Sequence, residues 1–544
     1  MSRVPGMTTG SHALARGAID AGVSLVTGYA GSPTTTVVNE ILAQSTASDV
    51  QVEWTTNEKA ALEIAFGASL AGVRSLLAVK SVGLNIALDP LMTLMLSGCH
   101  AGLVLLVGDD PGAWGSQNEQ DSRILGLAAE MPVLEPCTVG DGYRSMIEAF
   151  RLSEEMGTPV MVRFTRALGL SQSKLPQSES LALPPPAVER EFMRWVVLPV
   201  NVVSRRERLH DRLERVRERF EGMSLNRQYG EGQHGVIACG SLVQKLHDQA
   251  GENDLPGLRV FGLGTFSPLP TVALEAFCSD LRSVLVLEEG MPLVEQKLRA
   301  LVQRSGLDLE VYGRESGHVA REGEVFGPHL AAALNRFIPG LNLSTDGATE
   351  RGRPSRQGLC EGCPYVPVFD ALDRVMARTG GRDRYLVVGD PGCMVRSQLP
   401  PYELIDVKNS LGSSIGMAAG LVLGQRGTDR AVIALAGDSS FLHSGLSGLI
   451  DAVRLGTKML VVVLDNGTTA LSGGQPHPAS TVDARGRSCD PVDLAGLARE
   501  AGALQVRSVD VNSGEMVVVQ AIEDLLGVDG VSVMVARGPC PKHL

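Results

Sequence analysis

The sequence predicts an α/β protein whose sheets are mainly parallel. Short apolar runs alternate along the chain with longer amphipathic segments, which is the pattern of strands joined by crossover helices. Glycine is abundant, with 62 residues, whereas aromatic residues form only 4% of the chain. At 544 residues the chain is too long for one hydrophobic core, so three or four domains of about 150 residues each are expected.

Composition and charge exclude several classes of protein. The net charge of −12 is spread along the chain, so nucleic acid is not an expected partner. The N-terminus lacks a signal-peptide pattern, and polar residues and glycine interrupt the longest apolar window, 91–107. We therefore expect a cytoplasmic protein that does not span a membrane. Nine cysteines in such a protein favour thiolate chemistry over disulfides.

Residues 1–180 form the first predicted domain. Four apolar runs in it predict a parallel sheet covered by helices on both faces. The runs are 25–27, 75–79, 103–107 and 160–164. The loop 28–34 follows the first of them, in the place where such sheets bind ligands. Glu58 opens a predicted helix, where a carboxylate usually only compensates the helix dipole.

A polar loop, residues 109–123, follows the third of these strands. It is either a hydrated surface loop or one wall of a substrate pocket. In the second case Arg123 could clamp a substrate carboxylate, because a guanidinium binds a carboxylate through two parallel hydrogen bonds. Surface arginines far outnumber functional ones, so the first interpretation is the more common.

Residues 181–347 form the second predicted domain. It begins with a proline-rich linker at Leu183–Pro186 and continues into a helix of mixed charge at 205–220. Apolar runs then predict the strands of a further α/β sheet. The runs are 235–239, 258–261 and 284–287. Since no acid-base set accompanies them, we expect a structural or a swivelling domain.

Residues 348–544 contain the stretch with the clearest chemistry. Two apolar runs, 431–436 and 459–464, end at Gly437-Asp438-Ser439 and at Asp465-Asn466-Gly467, and an amphipathic segment between them predicts the helix of a βαβ unit. Asp438 and Asn466 would thus supply a carboxylate and an amide oxygen to Mg²⁺, beside a diphosphate at the strand ends. Ordinary turns after strands use the same residue types. The presence of both turns, with Asp438 and Asn466 separated by 28 residues, favours the magnesium site.

This pair resembles the thiamine diphosphate motif Gly-Asp-Gly with a later asparagine, with Ser439 in place of the second glycine. The resemblance implies that Asp438 and Asn466 bind Mg²⁺, that the backbone oxygen of Thr468 is the third protein ligand, and that Gly437 and Ser439 contact the cofactor. It also gives Glu58 a sharper role. A carboxylate bound to the aminopyrimidine ring promotes loss of the thiazolium C2 proton.

Four cysteines could bind one metal centre in the third domain. Cys360 and Cys363 form a C-x-x-C loop, and Cys393 and Cys540 follow predicted strands. Structural zinc and unliganded thiols are the alternatives to an iron-sulfur cluster. The cluster is favoured because thiamine carbanion chemistry beside a one-electron acceptor gives oxidative decarboxylation.

Nearly the whole chain resembles the large (alpha) subunits of indolepyruvate:ferredoxin oxidoreductases, in the superfamily of thiamine diphosphate-dependent 2-oxoacid:ferredoxin oxidoreductases. The matching segments are Asn57-Glu58-Lys59, Gly83-Leu84-Asn85, 89–94, 116–123, 437–445 and 468–478. The resemblance implies a pyrimidine-type thiamine domain over 1–180, a transketolase C-terminal-like α/β domain over 181–347, and a diphosphate-type thiamine domain over 348–544.

The resemblance also implies a reaction. A 2-oxoacid, such as indolepyruvate or phenylpyruvate, would be converted to acyl-CoA and CO₂, with electron transfer through a single 4Fe-4S cluster to ferredoxin or another acceptor. Ser32 and Asn85 would bind the substrate. His443 and His477 follow the two magnesium loops and are candidates for proton transfer, although both would be unremarkable as core or capping histidines. Coenzyme A, a small beta (gamma-type) subunit and a dimer of heterodimers are the implied partners and assembly.

The chain departs from the family pattern at several positions. It ends at Leu544, soon after Cys540, where the family typically continues into a ferredoxin-like domain, so we expect electrons to leave the proximal cluster directly. Glu361 and Tyr365 replace a proline and a histidine, and Ser32 replaces a threonine. A non-oxidative decarboxylase or carboligase is therefore the alternative function. A third hypothesis is a catalytically idle scaffold subunit, but the presence of the magnesium and glutamate residues counts against it.

Overall fold

A computed structural model describes residues 6–182, 191–250, 255, 257–346, 358–425 and 430–543. The chain forms two compact units, residues 1–53 with 58–354 and residues 54–57 with 355–544. The predicted proline linker at Leu183–Pro186 lies outside the described residues. No helix within these described ranges combines the length and the apolar character that crossing a membrane requires.

The first unit is built on a seven-stranded and a five-stranded sheet, with a short ribbon of two strands. Its strands are β1 (Thr8–Thr9), β2 (Leu25–Gly28), β3 (Gln51–Trp54), β4 (Ser75–Lys80), β5 (Leu103–Asp109), β6 (Val133–Leu134), β7 (Val160–Thr165), β8 (Gln172–Ser173), β9 (Arg227–Tyr229), β10 (His234–Cys239), β11 (Leu258–Leu263), β12 (Thr265–Ser267), β13 (Ser283–Leu287) and β14 (Glu310–Tyr312).

Helices connect these strands. They are α1 (Gly10–Asp20), α2 (Thr34–Gln44), α3 (Glu58–Leu70), α4 (Ser81–Ser97), α5 (Arg123–Ala128), α6 (Val139–Met156), α7 (Arg166–Leu170), α8 (Phe192–Trp195), α9 (Val202–Glu221), α10 (Leu242–Ala250), α11 (Thr271–Cys278), α12 (Leu293–Ser305) and α13 (Gly327–Phe337). The predicted helix of mixed charge is confirmed as α9.

The seven-stranded sheet has the order β12-β6-β7-β5-β4-β2-β3. Strands β2, β4, β5, β7 and β6 pair in parallel, and β12 is antiparallel to β6. The four strands predicted from apolar runs are confirmed as β2, β4, β5 and β7. Strand β5 is buried along its whole length, as expected of a parallel strand that has helices on both faces.

The five-stranded sheet has the order β14-β13-β10-β11-β9. Its three predicted strands are confirmed as β10, β11 and β13, and they pair in parallel. Directly after β11 the chain crosses to the other sheet and adds β12 to its edge. One hydrophobic core spans both sheets, with Leu105 and Met161 from the first and Ile237 and Phe261 from the second.

Buried ion pairs accompany this core. The Arg163 side chain, on β7, is 2% exposed, and its Nε donates to Asp109 Oδ2 at 2.9 Å. Its Nη1 donates to Glu135, which follows β6. Because both carboxylates are buried, each depends on this guanidinium for charge compensation.

The second unit contains one six-stranded parallel sheet, with the order β16-β15-β17-β18-β20-β19. Its strands are β15 (Tyr385–Gly389), β16 (Val407–Lys408), β17 (Ala431–Gly437), β18 (Met459–Asp465), β19 (Gln505–Asp510) and β20 (Val531–Arg537), and its helices are α14 (Val366–Arg378), α15 (Ser414–Gly424), α16 (Asp438–Ser440), α17 (Leu446–Arg454), α18 (Leu494–Glu500) and α19 (Glu515–Leu526). The predicted βαβ unit is confirmed as β17, α17 and β18.

Replacement of Arg163 by methionine is expected to lower the free energy of unfolding by about 3–5 kcal/mol, because Asp109 and Glu135 lose their buried counter-charge. Arg206 offers a matched control, since its side chain is 51% exposed where it pairs with Glu130. Arg206→Met should cost less than about 1 kcal/mol. Urea unfolding of the two variants measures the difference, and equal costs would contradict a stabilising role for the buried pairs.

Candidate active site

The carboxyl ends of β17 and β18 bring Asp438 and Asn466 together. The strands are adjacent and parallel, with Gly437 opposite Leu464. The Asp438 side chain is almost fully buried. Its Oδ2 accepts the backbone N–H of Asn466 at 3.0 Å and of Gly467 at 2.8 Å. Two residues that are 28 positions apart in the sequence are therefore in direct contact.

The side-chain amide of Asn466 is held in one orientation. Its Nδ2 donates to the hydroxyl of Tyr365 at 2.8 Å, and its Oδ1 accepts the backbone N–H of Thr468 at 3.1 Å. The Tyr365 hydroxyl in turn donates to the Leu464 carbonyl at 3.3 Å. This assignment of the amide leaves its oxygen as the group that can serve a cation.

His477 faces the carboxylate of Asp438. Its Nε2 lies 3.2 Å from Asp438 Oδ2, outside hydrogen-bonding geometry, and this buried nitrogen has no hydrogen-bond partner within the described part of the chain. Its Nδ1 accepts the backbone N–H of Ala479 at 3.2 Å. Although burial opposes the change, the carboxylates of Asp438 and Asp465 raise the pKa of His477.

Negative charge is crowded at these strand ends. Burial, followed by the charge of Asp438, raises the pKa of Asp465 to about 6. Arg537 partly offsets that charge, with its Nε 3.3 Å from Asp465 Oδ2. A carboxylate, an amide oxygen and a peptide oxygen, beside an orphaned imidazole nitrogen and excess negative charge, form a donor set that fits Mg²⁺.

His443 lies in a widened helical turn directly after Asp438. The turn, Phe441–Gly445, has π-helical hydrogen bonding, which is a frequent feature of functional sites. The side chain is buried, and its Nδ1 is 3.2 Å from the Ser444 hydroxyl. Its carbonyl accepts the side-chain amide of Asn57 at 3.1 Å. His443 is thus fixed one turn beyond the Asp438 loop.

Asp390 is a site residue for which the sequence analysis assigned no role. It follows β15 and is fully buried. Its Oδ1 accepts the backbone N–H of Ser414 at 2.8 Å, and its Oδ2 accepts the hydroxyl of Ser440 at 2.9 Å. Burial raises its pKa to about 6. The available signal was that Gly389-Asp390 ends a strand in the same way as Gly437-Asp438.

The four predicted cysteine ligands gather in the second unit. Burial, followed by the neighbouring thiols of Cys363, Cys540 and Cys360, raises the pKa of Cys393 to about 11. All four side chains are partly exposed. Among the described residues, however, no group of three or more His, Cys, Asp or Glu side chains is arranged to hold a metal ion.

Glu58 and Lys80 lie in the first unit. Glu58 is 5% exposed, and a Cβ at Gly83 would meet its Oε1 at 2.4 Å, so this approach requires glycine. The stem of Lys80 packs against Gly31. Burial lowers the pKa of Lys80, while Asp110 and Glu58 oppose that change. Lys80 is a second residue to which the sequence analysis gave no role in the site.

The two predicted substrate-binding residues of this region are accessible. Ser32, directly after Gly31, is exposed. Asn85, on α4, is also exposed, and its Nδ2 donates to Gln120 Oε1 at 3.0 Å. Both side chains are therefore open to a ligand on the surface of the first unit.

Arg123 requires a correction. Its side chain is 0% exposed, and its guanidinium binds Asp121 and Glu288. The same group donates to the carbonyls of Glu289 and Met291 at 2.7 and 3.0 Å. Because these partners surround the guanidinium, Arg123 is not available to clamp a substrate carboxylate. It connects the polar loop to the end of β13 instead.

Two models of protein families match two separate regions of the chain. Residues 390–536 match the model described as "Thiamine pyrophosphate enzyme, C-terminal TPP binding domain". Residues 16–207 match "Pyruvate flavodoxin/ferredoxin oxidoreductase, thiamine diP-bdg". The chain is 34% identical to "Indolepyruvate oxidoreductase subunit IorA" of Archaeoglobus fulgidus, over 98% of this chain and 86% of that protein. The chain belongs to the IorA family.

A second IorA relative gives the same result. The protein of that name from Methanothermobacter thermautotrophicus is 32% identical, over 98% of this chain and 86% of its own length. Among solved structures, we compared a 2-oxoglutarate:ferredoxin oxidoreductase from Magnetococcus marinus. The aligned region spans 56% of this chain and 61% of the chain in that structure, with 17% sequence identity and a TM-score of 0.46. That structural likeness is too weak to support an inference.

Membership of the IorA family confirms three predictions. The α/β fold with two thiamine-binding parallel-sheet regions is confirmed, as are thiamine diphosphate as the cofactor and the class of thiamine diphosphate-dependent 2-oxoacid:ferredoxin oxidoreductases. The region that matches the C-terminal TPP binding domain contains Asp390, Asp438 and Asn466.

The pKa of Asp390 predicts how the stability of this IorA-family chain depends on pH. A carboxyl whose folded pKa is about 6, against an ordinary value of 3.8, stabilises the fold fully below about pH 4 and loses that contribution as the pH rises through 6. Asp390→Asn should remove a decline of about 3 kcal/mol in the free energy of unfolding across this window.

Urea unfolding at pH 4, 5 and 6, on protein free of cofactor, measures this slope. Asp451→Asn is the matched control, because the Asp451 side chain is 66% exposed on α17. The control should keep the wild-type slope. An unchanged slope in Asp390→Asn would show that Asp390 does not titrate in this range.

Proposed function

We propose that this chain catalyses oxidative decarboxylation of an arylpyruvate, such as indolepyruvate or phenylpyruvate, to acyl-CoA and CO₂. One observation carries the proposal beyond family membership. The backbone N–H of Cys540 donates to the carbonyl of Asn466 at 3.4 Å, and Tyr365, two residues after Cys363, accepts the amide of Asn466. The cysteine loops therefore adjoin the loop that would hold the magnesium and the diphosphate.

Asp438, the side chain of Asn466 and the backbone oxygen of Thr468 hold Mg²⁺ in this proposal. Mg²⁺ prefers six oxygen ligands. These three protein oxygens would leave the remaining positions to phosphate oxygens and water. Gly437 and Ser439 stand at the start of a helix, where backbone N–H groups favour a diphosphate. The buried carboxylate of Asp438 anchors the site because backbone N–H groups of Ser439, Asn466 and Gly467 fix its orientation.

Thiamine diphosphate supplies, when bound, a carbanion nucleophile and an electron sink for decarboxylation. The chain's own residues handle protons and orientation. Glu58 holds the aminopyrimidine through a hydrogen bond that favours loss of the C2 proton. His443 and His477 exchange protons beside the metal loops, and Ser32 and Asn85 bind the substrate.

Cys360, Cys363, Cys393 and Cys540 hold a single 4Fe-4S cluster in this proposal. The net reaction of the 2-oxoacid anion and coenzyme A gives acyl-CoA, CO₂, one proton and two electrons. Held by these four cysteines, such a cluster would supply one-electron transfer to ferredoxin or another acceptor. The neighbouring thiols contribute to the raised pKa of Cys363 and of Cys393, so the four sulfurs are a donor set that a metal centre would convert to thiolates.

Partner subunits follow from the names of the relatives, which are called subunits of an oxidoreductase. We propose a small beta (gamma-type) subunit and a dimer of heterodimers as the working enzyme. Coenzyme A and the electron acceptor complete the set of partners.

Asp438→Asn is expected to weaken thiamine diphosphate binding in the presence of Mg²⁺ by at least tenfold, because the variant lacks the carboxylate charge that holds the metal. Isothermal titration of the full chain measures the affinity. Asp451→Asn, on the exposed face of α17, should bind as the wild type does. Equal affinity in the two variants would contradict the magnesium assignment.

Cys393→Ser is expected to lower the iron content and to abolish viologen reduction with indolepyruvate and coenzyme A, because the cluster loses one ligand. The measurement uses anaerobically purified chain together with any subunit that co-purifies. Cys489→Ser is the matched control, since Cys489 is exposed and outside the set of four. The wild type and the control should contain about four iron atoms per chain. Wild-type decarboxylation without iron would instead establish the non-oxidative function.

A further inference from the structure

Arg396 lies among the cysteine loops of the second unit. It is in the short 3₁₀ helix Cys393–Gln398, three residues after Cys393. Its Nη1 donates to the carbonyl of Gly358 at 3.0 Å and lies 3.5 Å from the sulfur of Cys360. The guanidinium therefore joins the turn that carries Cys393 to the segment that carries Cys360.

The charge of this guanidinium is directed at sulfur. Within the described residues no carboxylate oxygen lies within 4.0 Å of Arg396, so its charge is not neutralised by an ion pair there. One partly buried cation thus contacts the sulfur of Cys360 and belongs to the same short helix as Cys393.

We propose that Arg396 sets the reduction potential of the cluster, by stabilising its one-electron-reduced form through the contact with Cys360. This inference rests on the proposed function, because it concerns the cluster proposed there. A 4Fe-4S centre becomes more negative by one charge when it takes an electron, and nearby positive charge and hydrogen bonds to its sulfurs raise its potential. A neutral residue at 396 makes the cluster a weaker electron acceptor.

A redox titration tests this role. The full chain is purified anaerobically with any subunit that accompanies it, dithionite supplies the electron, and the electron paramagnetic resonance signal of the reduced cluster is followed through mediators. Arg396→Gln should lower the equilibrium constant for reduction about tenfold, which is about 59 mV for one electron. Arg396→Lys keeps the positive charge and should show less than half of that shift. Arg454→Gln, at a side chain that is 71% exposed, should leave the midpoint unchanged.

The outcomes separate this inference from the proposed function. Wild-type protein without a cluster would overturn the proposed electron path and this inference with it. A wild-type midpoint in Arg396→Gln with full iron content would overturn only the role of Arg396. Should Arg396→Gln and Arg396→Met both lose iron while Arg396→Lys retains it, the residue holds the loops together and the tuning role is wrong.

Discussion

The second unit depends on one carboxylate placed at the end of a central strand. Asp438 leaves β17 with its side chain buried, and it collects backbone N–H groups from the loop after β18. A buried carboxylate with several donors is well satisfied as a hydrogen-bond acceptor, yet its charge is not cancelled by backbone dipoles alone. Imidazole from His477 stands opposite it, and Asp465 adds further negative charge. The strand ends therefore concentrate negative charge around one imidazole, which is the physical basis for the magnesium that we propose there.

Much of the fold could be predicted because its signals are local. Each strand named from an apolar run was found within a few residues of the predicted bounds, since buried parallel strands are apolar on both faces. The contact between Asp438 and Asn466 was predictable for a related reason. Adjacent parallel strands end at the same edge of a sheet, so two polar residues that each follow such a strand must meet.

The incorrect role of Arg123 has an equally physical origin. Its partners, Asp121 and Glu288, are 2 and 165 residues away in the sequence, and the distant one belongs to the other sheet of the first unit. A polar loop that faces solvent and one that enters a buried ion network have the same composition. The position of Asp390 was not predictable for a similar reason, because its partners, Ser414 and Ser440, come from two later helices. Long-range pairing of charges carries no periodic signal in a sequence.

Strand β12 has a further consequence for the first unit. Strand β12 follows β11 of the five-stranded sheet directly, yet it pairs with β6 of the seven-stranded sheet. Arg123 also connects the two sheets, through its ion pair with Glu288. A swivelling second domain, one of the two alternatives that its sequence suggested, would have to break this ladder and expose a buried charge. The region around residue 180 is therefore a poor place at which to split the chain into fragments or to exchange modules between homologues. A fragment that ended there would leave an unpaired sheet edge at β6, and Arg123 would lose Glu288, one of its two buried carboxylate partners.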